Sequence, residues 1–157
     1  MGVLRYSIWI DAAPEAVWSA WTDLDLIPRW QTGGPRVADV TGDGGVGTSY
    51  TVRRGPTSAR TTIIVAEAPS RCVSRTHALL GLRFDLEAQL TPERVGTYLA
   101  LEARTEWPRG LRWFGRVVEA FVLSPREAER ELANLKAIIE ADQPERAGAS
   151  QARPRAT

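Results

Sequence analysis

The sequence predicts an α+β protein in which a long C-terminal helix covers one face of an antiparallel sheet of seven strands. Three observations predict this class. The segment LRFDLEAQL (82–90) alternates apolar and polar residues, which is typical of a strand with one covered face and one wet face. The residues from 37 to 107 form similar short runs that Gly and Pro separate. Between 110 and 141, apolar residues recur at helical spacing instead.

One strand and two short helices precede the main run of strands. Residues 4–10 (LRYSIWI) alternate with the period of a strand. Asp11 can cap a helix, and Pro14 stands where the first helical turn tolerates proline. Proline and glycine then end the helical region, which predicts two short helices over about 14–22 and 24–30.

Six further strands are predicted because β-branched or alternating residues dominate six runs between turn signals. These runs are 37–41, 47–54, 60–67, 71–77, 82–90 and 97–107. The apolar face of the resulting sheet must be covered, and the amphipathic segment over 110–141 is the element that can cover it.

The C-terminal helix is predicted to kink or restart at Pro125, where Ser124 and Glu127 form a capping box around a proline at the first helical position. Residues 143–157 have almost nothing to bury. This composition predicts a disordered tail after a single domain of residues 1–142.

Composition argues against several classes of function. A formal net charge of +1 gives no basic footprint for nucleic acid. Cys72 and His77 are each the only residue of their type, so neither a disulfide framework nor a typical zinc shell is available, and no metal or other cofactor is expected. The apolar runs are too short for a membrane span, and no signal peptide is recognised, which favours a cytoplasmic protein.

The glycine-rich segment GDGGVGT (42–48) looks superficially like a phosphate-binding loop. It lacks the Lys-Ser/Thr ending of such a loop and lies between two predicted strands rather than before a helix. A turn at the rim of a cavity is the better interpretation.

Four motifs resemble one known family. They are I-x-I-D-A-x-P-E-x-V-W (8–18), TDLDLIPRW (22–30), GDGGVGT (42–48) and APSR (68–71). On these motifs the chain resembles the START-like (SRPBCC) superfamily, which includes pollen-allergen-type proteins, bacterial polyketide cyclases/dehydratases and lipid-transfer proteins. The resemblance covers roughly residues 3–141. It implies the helix-grip fold, in which the sheet curls around the long helix and leaves a cavity that the two short helices close at one end.

Three tryptophans, Trp18, Trp21 and Trp30, fall within the short helical region. They can form either an aromatic box for a ligand or a plug that closes a hollow structure. The resemblance favours the plug, with large apolar rings on the short helices. Trp30 is nearest to the loop before the next strand, so it is the ring expected to contact a ligand.

Two polar residues of the strand at 47–54 are candidates for ligand contact. If the face that Tyr50 shares with Val52 is inward, its phenol enters an apolar cavity and can donate a hydrogen bond to a ligand carbonyl or act as a general acid. Alternatively, the ring packs and its hydroxyl bonds to water or backbone. Arg54 shares this face and either anchors a ligand carboxylate or lies solvated at the rim.

His77 is the second catalytic candidate because imidazole titrates near neutral pH. A two-residue hairpin turn would point His77 inward, whereas a three-residue turn through Gly81 turns Ser74 and Thr76 inward instead. The second set is uncharged, while Arg75 stands beside His77 on the other face. This difference favours the three-residue turn.

Aromatic residues mark the junction between the last strand and the long helix, and they either line the mouth of the pocket or seal it. With the apolar residues of the inward faces, they complete the candidate ligand-binding set: Trp30, Val52, Arg54, Ile63, Ser74, Thr76, Phe84, Leu86, Leu101, Trp107, Trp113, Phe114, Val118 and Phe121. Tyr50 and His77 are the catalytic candidates, and no metal site is predicted.

Three functions compete. The resemblance implies a polyketide-cyclase/dehydratase-like enzyme of bacterial secondary metabolism, which would orient a hydrophobic multi-carbonyl substrate and assist ring closure or water loss. The alternative is a non-catalytic protein that binds or transports a lipid or other apolar ligand. A protein-interaction role would need an exposed apolar patch that the sequence does not locate. The expected partner is therefore a hydrophobic small molecule, without nucleic acid or stable membrane insertion, for a monomer or homodimer.

Overall fold

The structure, a computed structural model, describes residues 2–108 and 125–151. The elements follow the predicted order. They are β1 (Gly2–Ile10), α1 (Pro14–Thr22), α2 (Ile27–Trp30), β2 (Arg36–Thr41), β3 (Ser49–Arg54), β4 (Thr57–Glu67), β5 (Arg71–His77), β6 (Arg83–Pro92), β7 (Thr97–Glu106) and α3 (Pro125–Gln151). A 3-10 turn, Leu79–Gly81, joins β5 to β6.

The seven strands form one curved antiparallel sheet in the order β1-β7-β6-β5-β4-β3-β2. Its two edges are therefore β1 and β2. The helices pack on one face, called the inner face below, where α1 contacts β6 and α3 contacts β1. The predicted seven-stranded sheet, the two short helices and the C-terminal helix are all confirmed.

The core lies between the inner face and α3, because both present apolar side chains at the period of their own element. The fully or almost fully buried members include Ile10, Val17, Ala88, Leu90, Leu99, Leu132, Leu135 and Ile139. The opposite, outer face is wet. Asp85 and Glu87 of β6 form ion pairs there with Arg75 and Arg71, as the alternation in residues 82–90 predicts.

One side of α3 is attached to α2 and the loop after it. The Glu131 Oε1 atom accepts hydrogen bonds from both the backbone N–H and the hydroxyl of Thr32, each at 2.9 Å. One turn further along, the Asn134 Nδ2 atom donates to the Trp30 carbonyl at 3.2 Å. These bonds fix α3 along the β2 side of the sheet.

The other side of α3 is attached to the end of β1. The Lys136 Nζ atom donates to the Trp9 carbonyl at 2.8 Å and lies 5.1 Å from the centroid of the Trp9 ring. The Asp11 N–H donates to Glu140 Oε1 at 2.9 Å. The helix is thus held along both sides by polar contacts as well as by its buried apolar face.

The glycine-rich segment over 42–48 forms a tight turn between β2 and β3. Gly42 has φ +106°, and a Cβ atom there would lie 2.5 Å from the Thr48 hydroxyl, so only glycine fits. The Gly44 N–H donates to the same hydroxyl at 2.9 Å, and the Gly47 N–H donates to the Ile63 carbonyl at 2.8 Å. With the N–H groups of Gly45 and Thr48, four N–H groups of this turn are hydrogen-bonded within the protein, which supports the turn interpretation over a phosphate loop.

Helix α3 begins at Pro125, where the sequence predicts a kink or restart, and it ends at Gln151. The last six residues of the chain, and the start of the segment over 110–141, lie outside the described residues.

Replacing Leu135 with alanine tests how much the fold depends on α3. Leu135 is fully buried against the inner face, so Leu135→Ala is expected to lower the free energy of unfolding by about 2–5 kcal/mol in urea denaturation. Leu80→Ala is the matched control, because Leu80 is 58% exposed and surface changes cost less than about 0.5 kcal/mol. Equal losses in both variants would contradict the central place of α3.

Candidate functional site

A row of hydroxyl groups crosses the inner face where β3, β4 and β5 lie side by side. The strand register pairs Tyr50 with Thr61, and Thr61 with Thr76. Residues that pair directly across antiparallel strands point to the same face. The Thr61 and Thr76 hydroxyls lie 2.9 Å apart, and the Thr61 side chain is close enough to Tyr50 to lower the pKa of its phenol. Three neutral polar groups therefore lie together on an otherwise apolar surface.

Burial controls the protonation of Tyr50. Removal from water raises the pKa of the phenol to about 12, with a smaller contribution from the charge that Cys72 would carry, and the hydrogen bond with Thr61 opposes these effects. At neutral pH Tyr50 is therefore a protonated phenol that can donate a hydrogen bond. It cannot serve as a base under those conditions, because almost none of it is ionised.

Most of the predicted inner-face residues are where the alternation places them. Ser74, Leu86 and Leu101 lie on neighbouring strands β5, β6 and β7, and each is half-buried. Val52 and Phe84 are half-buried on the same face, whereas Thr76 and Ile63 are buried. The half-buried side chains give this face accessible apolar surface around the hydroxyl row.

A second polar group lies where the short helices meet the sheet. The rings of Trp21 and Trp30 are stacked with centroids 5.7 Å apart, and both pack against the core. Burial raises the pKa of the Cys72 thiol, and a hydrogen bond from the Trp21 side chain opposes that shift. Trp30 is buried, but Trp18 and Trp21 are only half-buried. Two of the three rings of the predicted plug are therefore partly exposed.

Arg54 makes a contact that the sequence did not indicate. Its guanidinium forms an ion pair with Glu131 of α3 at 3.5 Å, and its side chain lies over Gly33. The sequence allowed two interpretations of Arg54, a ligand anchor or a solvated rim residue. Neither of them included the ion pair with Glu131. Arg54 therefore helps to fix β3 to α3, and its charge is already paired.

His77 lies on the outer face. The Ala78 N–H donates to the Leu82 carbonyl at 2.9 Å, and His77 pairs with Arg83 across the strands. This is the register of the three-residue turn, and it points Thr76 inward. The exposed imidazole is thus on the opposite face from Tyr50, and the structure does not bring the two catalytic candidates together.

The aromatic candidates after β7 are only partly within the described residues. Trp107 follows the end of β7 and is half-buried. Trp113, Phe114, Val118 and Phe121 lie outside the described residues.

Several inner-face residues were not among the sequence candidates. Thr61 was missed because its role depends on the exact register between β3 and β4. Tyr6 was placed on the apolar face by alternation but not considered as a donor; its hydroxyl is buried without a hydrogen-bond partner, and burial and then the charge of Glu129 raise its pKa. The alternation that places Ser74 and Thr76 inward also places Cys72 inward, but Cys72 was not among the candidate site residues.

A depression of about 510 Å³ on the outer face does not form part of this site. On its wall, Glu102 forms ion pairs with Arg5 at 2.8 Å and with Arg104 at 2.7 Å. Such exposed ion pairs are common on a wet sheet face and indicate no ligand by themselves.

The part of the chain that the structure describes contains neither a metal-binding cluster nor a membrane-spanning helix. Within residues 2–108 and 125–151, no three His, Cys, Asp or Glu side chains come together as a metal ion would require. None of the helices in those ranges combines the length and apolar character needed to cross a membrane.

A sheet curved around a C-terminal helix, with two short helices after the first strand, defines a helix-grip (START-like) protein. The family model described as "Polyketide cyclase / dehydrase and lipid transport" matches residues 1–140, so the chain belongs to this family. No curated protein matches the sequence.

Solved structures with the same fold include proteins of several different kinds. They include norcoclaurine synthase from Thalictrum flavum (TM-score 0.65, 13% identity, 88% of this chain and 86% of that chain). The Aha1 dimer from Colwellia psychrerythraea matches with a TM-score of 0.61, 18% identity and coverage of 89% and 97%. DynU16, a protein of the dynemicin biosynthetic locus, matches with a TM-score of 0.65 and 21% identity over 88% of this chain and 47% of that chain. At these identities the likeness shows the fold alone.

The buried phenol of Tyr50 predicts how stability changes at high pH. Its pKa is about 12 in the folded protein and about 10 in an unfolded chain, so between these values the unfolded state loses the proton first. The free energy of unfolding should therefore fall as the pH rises from 10 to 12, by about 2–3 kcal/mol from this group. Tyr50→Phe should reduce that fall when urea denaturation is repeated across the range. Tyr98→Phe is the control, since the Tyr98 ring lies on the outer face, and an unchanged slope in Tyr50→Phe would contradict the burial of the phenol.

Proposed function

We propose that this protein binds a hydrophobic small molecule on the inner face of its sheet and acts on it as a cyclase/dehydratase-like enzyme. The hydroxyl row formed by Tyr50, Thr61 and Thr76 is the observation that carries this proposal. It lies beside accessible apolar side chains, such as Leu86 and Leu101. A mainly apolar surface with a few convergent polar groups is the usual composition of a small-molecule site.

The chemistry available to Tyr50 is hydrogen-bond donation to a carbonyl oxygen. A phenol that stays protonated at neutral pH draws electron density from the carbonyl and stabilises negative charge that develops on its oxygen. This makes the neighbouring carbon more acidic and favours the enol from which ring closure or water loss proceeds. Thr61 holds the phenol in place, and the apolar surface holds the substrate in a reactive conformation.

A second candidate function is binding and transport of an apolar ligand without chemistry. One observation favours it: the titratable groups among the described inner-face residues of β3, β4 and β5 are Tyr50, Cys72 and Arg54, and Arg54 is paired with Glu131. None of them is a base at neutral pH, so a proton taken from the substrate would have to pass to water or to the substrate itself.

The proposal includes a cytoplasmic location for the protein. A buried, unpaired Cys72 is compatible with the reducing cytoplasm. Together with the family, this supports a cytoplasmic protein of secondary-metabolite biosynthesis, which acts as a monomer or homodimer on a freely diffusing substrate.

Binding is tested by titration with the neutral fluorescent probe N-phenyl-1-naphthylamine. We expect saturable binding at about one site per chain. Leu86→Gln should weaken it by about tenfold, because a half-buried apolar contact is replaced by an amide of similar size. Gln89→Leu on the outer face of the same strand is the control and should leave the affinity unchanged. Absence of saturable binding in the wild-type protein would refute both candidate functions.

Catalysis is tested with heptane-2,4,6-trione, whose ring closure with loss of one water gives 2,6-dimethyl-4-pyranone and can be followed by absorbance. The enzyme proposal expects acceleration over buffer, and a loss of about 10²–10⁴-fold in Tyr50→Phe with the probe affinity retained. Saturable probe binding without any acceleration of this or related triketones would favour transport. The variant must keep the circular dichroism spectrum of the wild-type protein.

A further inference from the structure

The indole N–H of Trp30 is a buried donor without an acceptor. The residue is only 6% exposed, and its Nε1 atom has no hydrogen-bond partner. A tryptophan N–H can only donate, and leaving a buried donor unpaired is costly enough that native proteins seldom do so. Such an atom therefore requires an explanation from its surroundings.

The neighbouring ring provides an internal comparison. Trp21 is stacked on Trp30 with an angle of 24° between the ring planes, and Cys72 lies beside its side chain. The two stacked indoles differ in burial: Trp21 is half-buried, whereas Trp30 is almost fully enclosed and its N–H has no acceptor.

Trp30 is also held so that it cannot easily turn toward another acceptor. Its ring is stacked on one side by Trp21, and its backbone carbonyl accepts a hydrogen bond from Asn134 of α3. The stacking and the anchored backbone together limit the rotation of the Trp30 ring. Fixed donors are what a binding site uses when it must orient one group of a ligand.

The stacked rings of Trp21 and Trp30 share an apolar cluster with Tyr50 of the hydroxyl row. Trp21 contacts Cys72, and the charge that Cys72 would carry is one of the influences that raise the pKa of Tyr50. Trp21 and Tyr50 are both half-buried and pack against the same core as Trp30. The indole pair and Tyr50 therefore border the same apolar cluster, which also contains Cys72 and Ile63.

We propose that the Trp30 N–H selects ligands by donating a hydrogen bond to an oxygen acceptor on an otherwise apolar molecule, such as a ketone, ester or quinone. This inference rests on the proposed function, because it requires a ligand on the inner face. The Tyr6 hydroxyl, the other buried polar group without a partner in the described part of the chain, supports it, since it also needs a polar group to bond. A pure hydrocarbon of the same shape would leave the Trp30 donor unpaired and should bind less well.

The test compares 2-acetylnaphthalene with 2-isopropylnaphthalene, which have the same shape but differ in the acceptor oxygen. Dissociation constants are measured by displacement of N-phenyl-1-naphthylamine. The preference for the ketone, expressed as the ratio of the two constants, should fall by about 2–10-fold in Trp30→Phe, which is the range for one neutral hydrogen bond. Trp18→Phe, a half-buried ring change on α1, is the control and should keep the wild-type ratio.

A second measurement on the wild-type protein covers the case in which Trp30→Phe does not fold. In ¹H–¹⁵N spectra with assigned indole resonances, the ketone should move the Trp30 N–H proton downfield while the hydrocarbon does not. The Trp21 resonance serves as the internal reference, because this ring is stacked on Trp30 but its N–H is not proposed to bond the ligand.

The outcomes separate this inference from the proposed function. Binding of both naphthalenes with an unchanged ratio in Trp30→Phe, or without a ketone-specific shift of the Trp30 resonance, would overturn the role of Trp30 and leave ligand binding standing. If neither naphthalene nor the probe binds, the proposed function fails and this inference fails with it.

Discussion

The attachment of α3 along both sides of the sheet is the constraint on which the rest of the structure depends. An antiparallel sheet with one apolar face is stable only if that face is covered, and burial alone does not fix where the covering helix lies, because the hydrophobic effect has no direction. Glu131 and Lys136 provide the direction, one toward Thr32 after α2 and the other toward Trp9 at the end of β1. The helix is thereby set in one position across a curved sheet.

That position divides the inner face into two parts. Leu135 and Ile139 cover the region near Ile10 and Leu99, and this part is packed as a core. The row that begins at Tyr50 lies further along the strands, where Phe84 and Ser74 stay half-buried. This second part carries the hydroxyls of Tyr50, Thr61 and Thr76, whereas the first part carries the Thr97 hydroxyl, which donates to the Ala12 carbonyl.

Patterns that depend on a single element could be predicted from the sequence, and contacts between distant elements could not. Alternation assigned Tyr50 and Thr76 to the inner face, and the charge of Arg75 was enough to choose the β5–β6 turn that puts His77 outside. The contact between Arg54 and Glu131 could not be predicted, because Glu131 lies on an element far along the chain. The missing partner of the Trp30 N–H is likewise invisible in sequence, since a donor is unpaired only relative to everything that surrounds it.

The candidate site offers only neutral groups, and such groups can assist only some of the reactions considered in the proposed function. Hydroxyl and indole donors keep their protons across the physiological pH range, and in a desolvated setting each hydrogen bond is stronger than in water. Such donors stabilise charge that develops on a carbonyl oxygen, but they do not remove a proton from carbon. Some substrates have a C–H group between two carbonyl groups, and that proton is already acidic. Hydrogen-bond donation to a carbonyl is almost sufficient for their reactions, because the substrate supplies its own proton transfer once it is held in the correct conformation. Tyr50, held by Thr61 within an apolar surface, is suited to that case and unsuited to substrates that require a strong base.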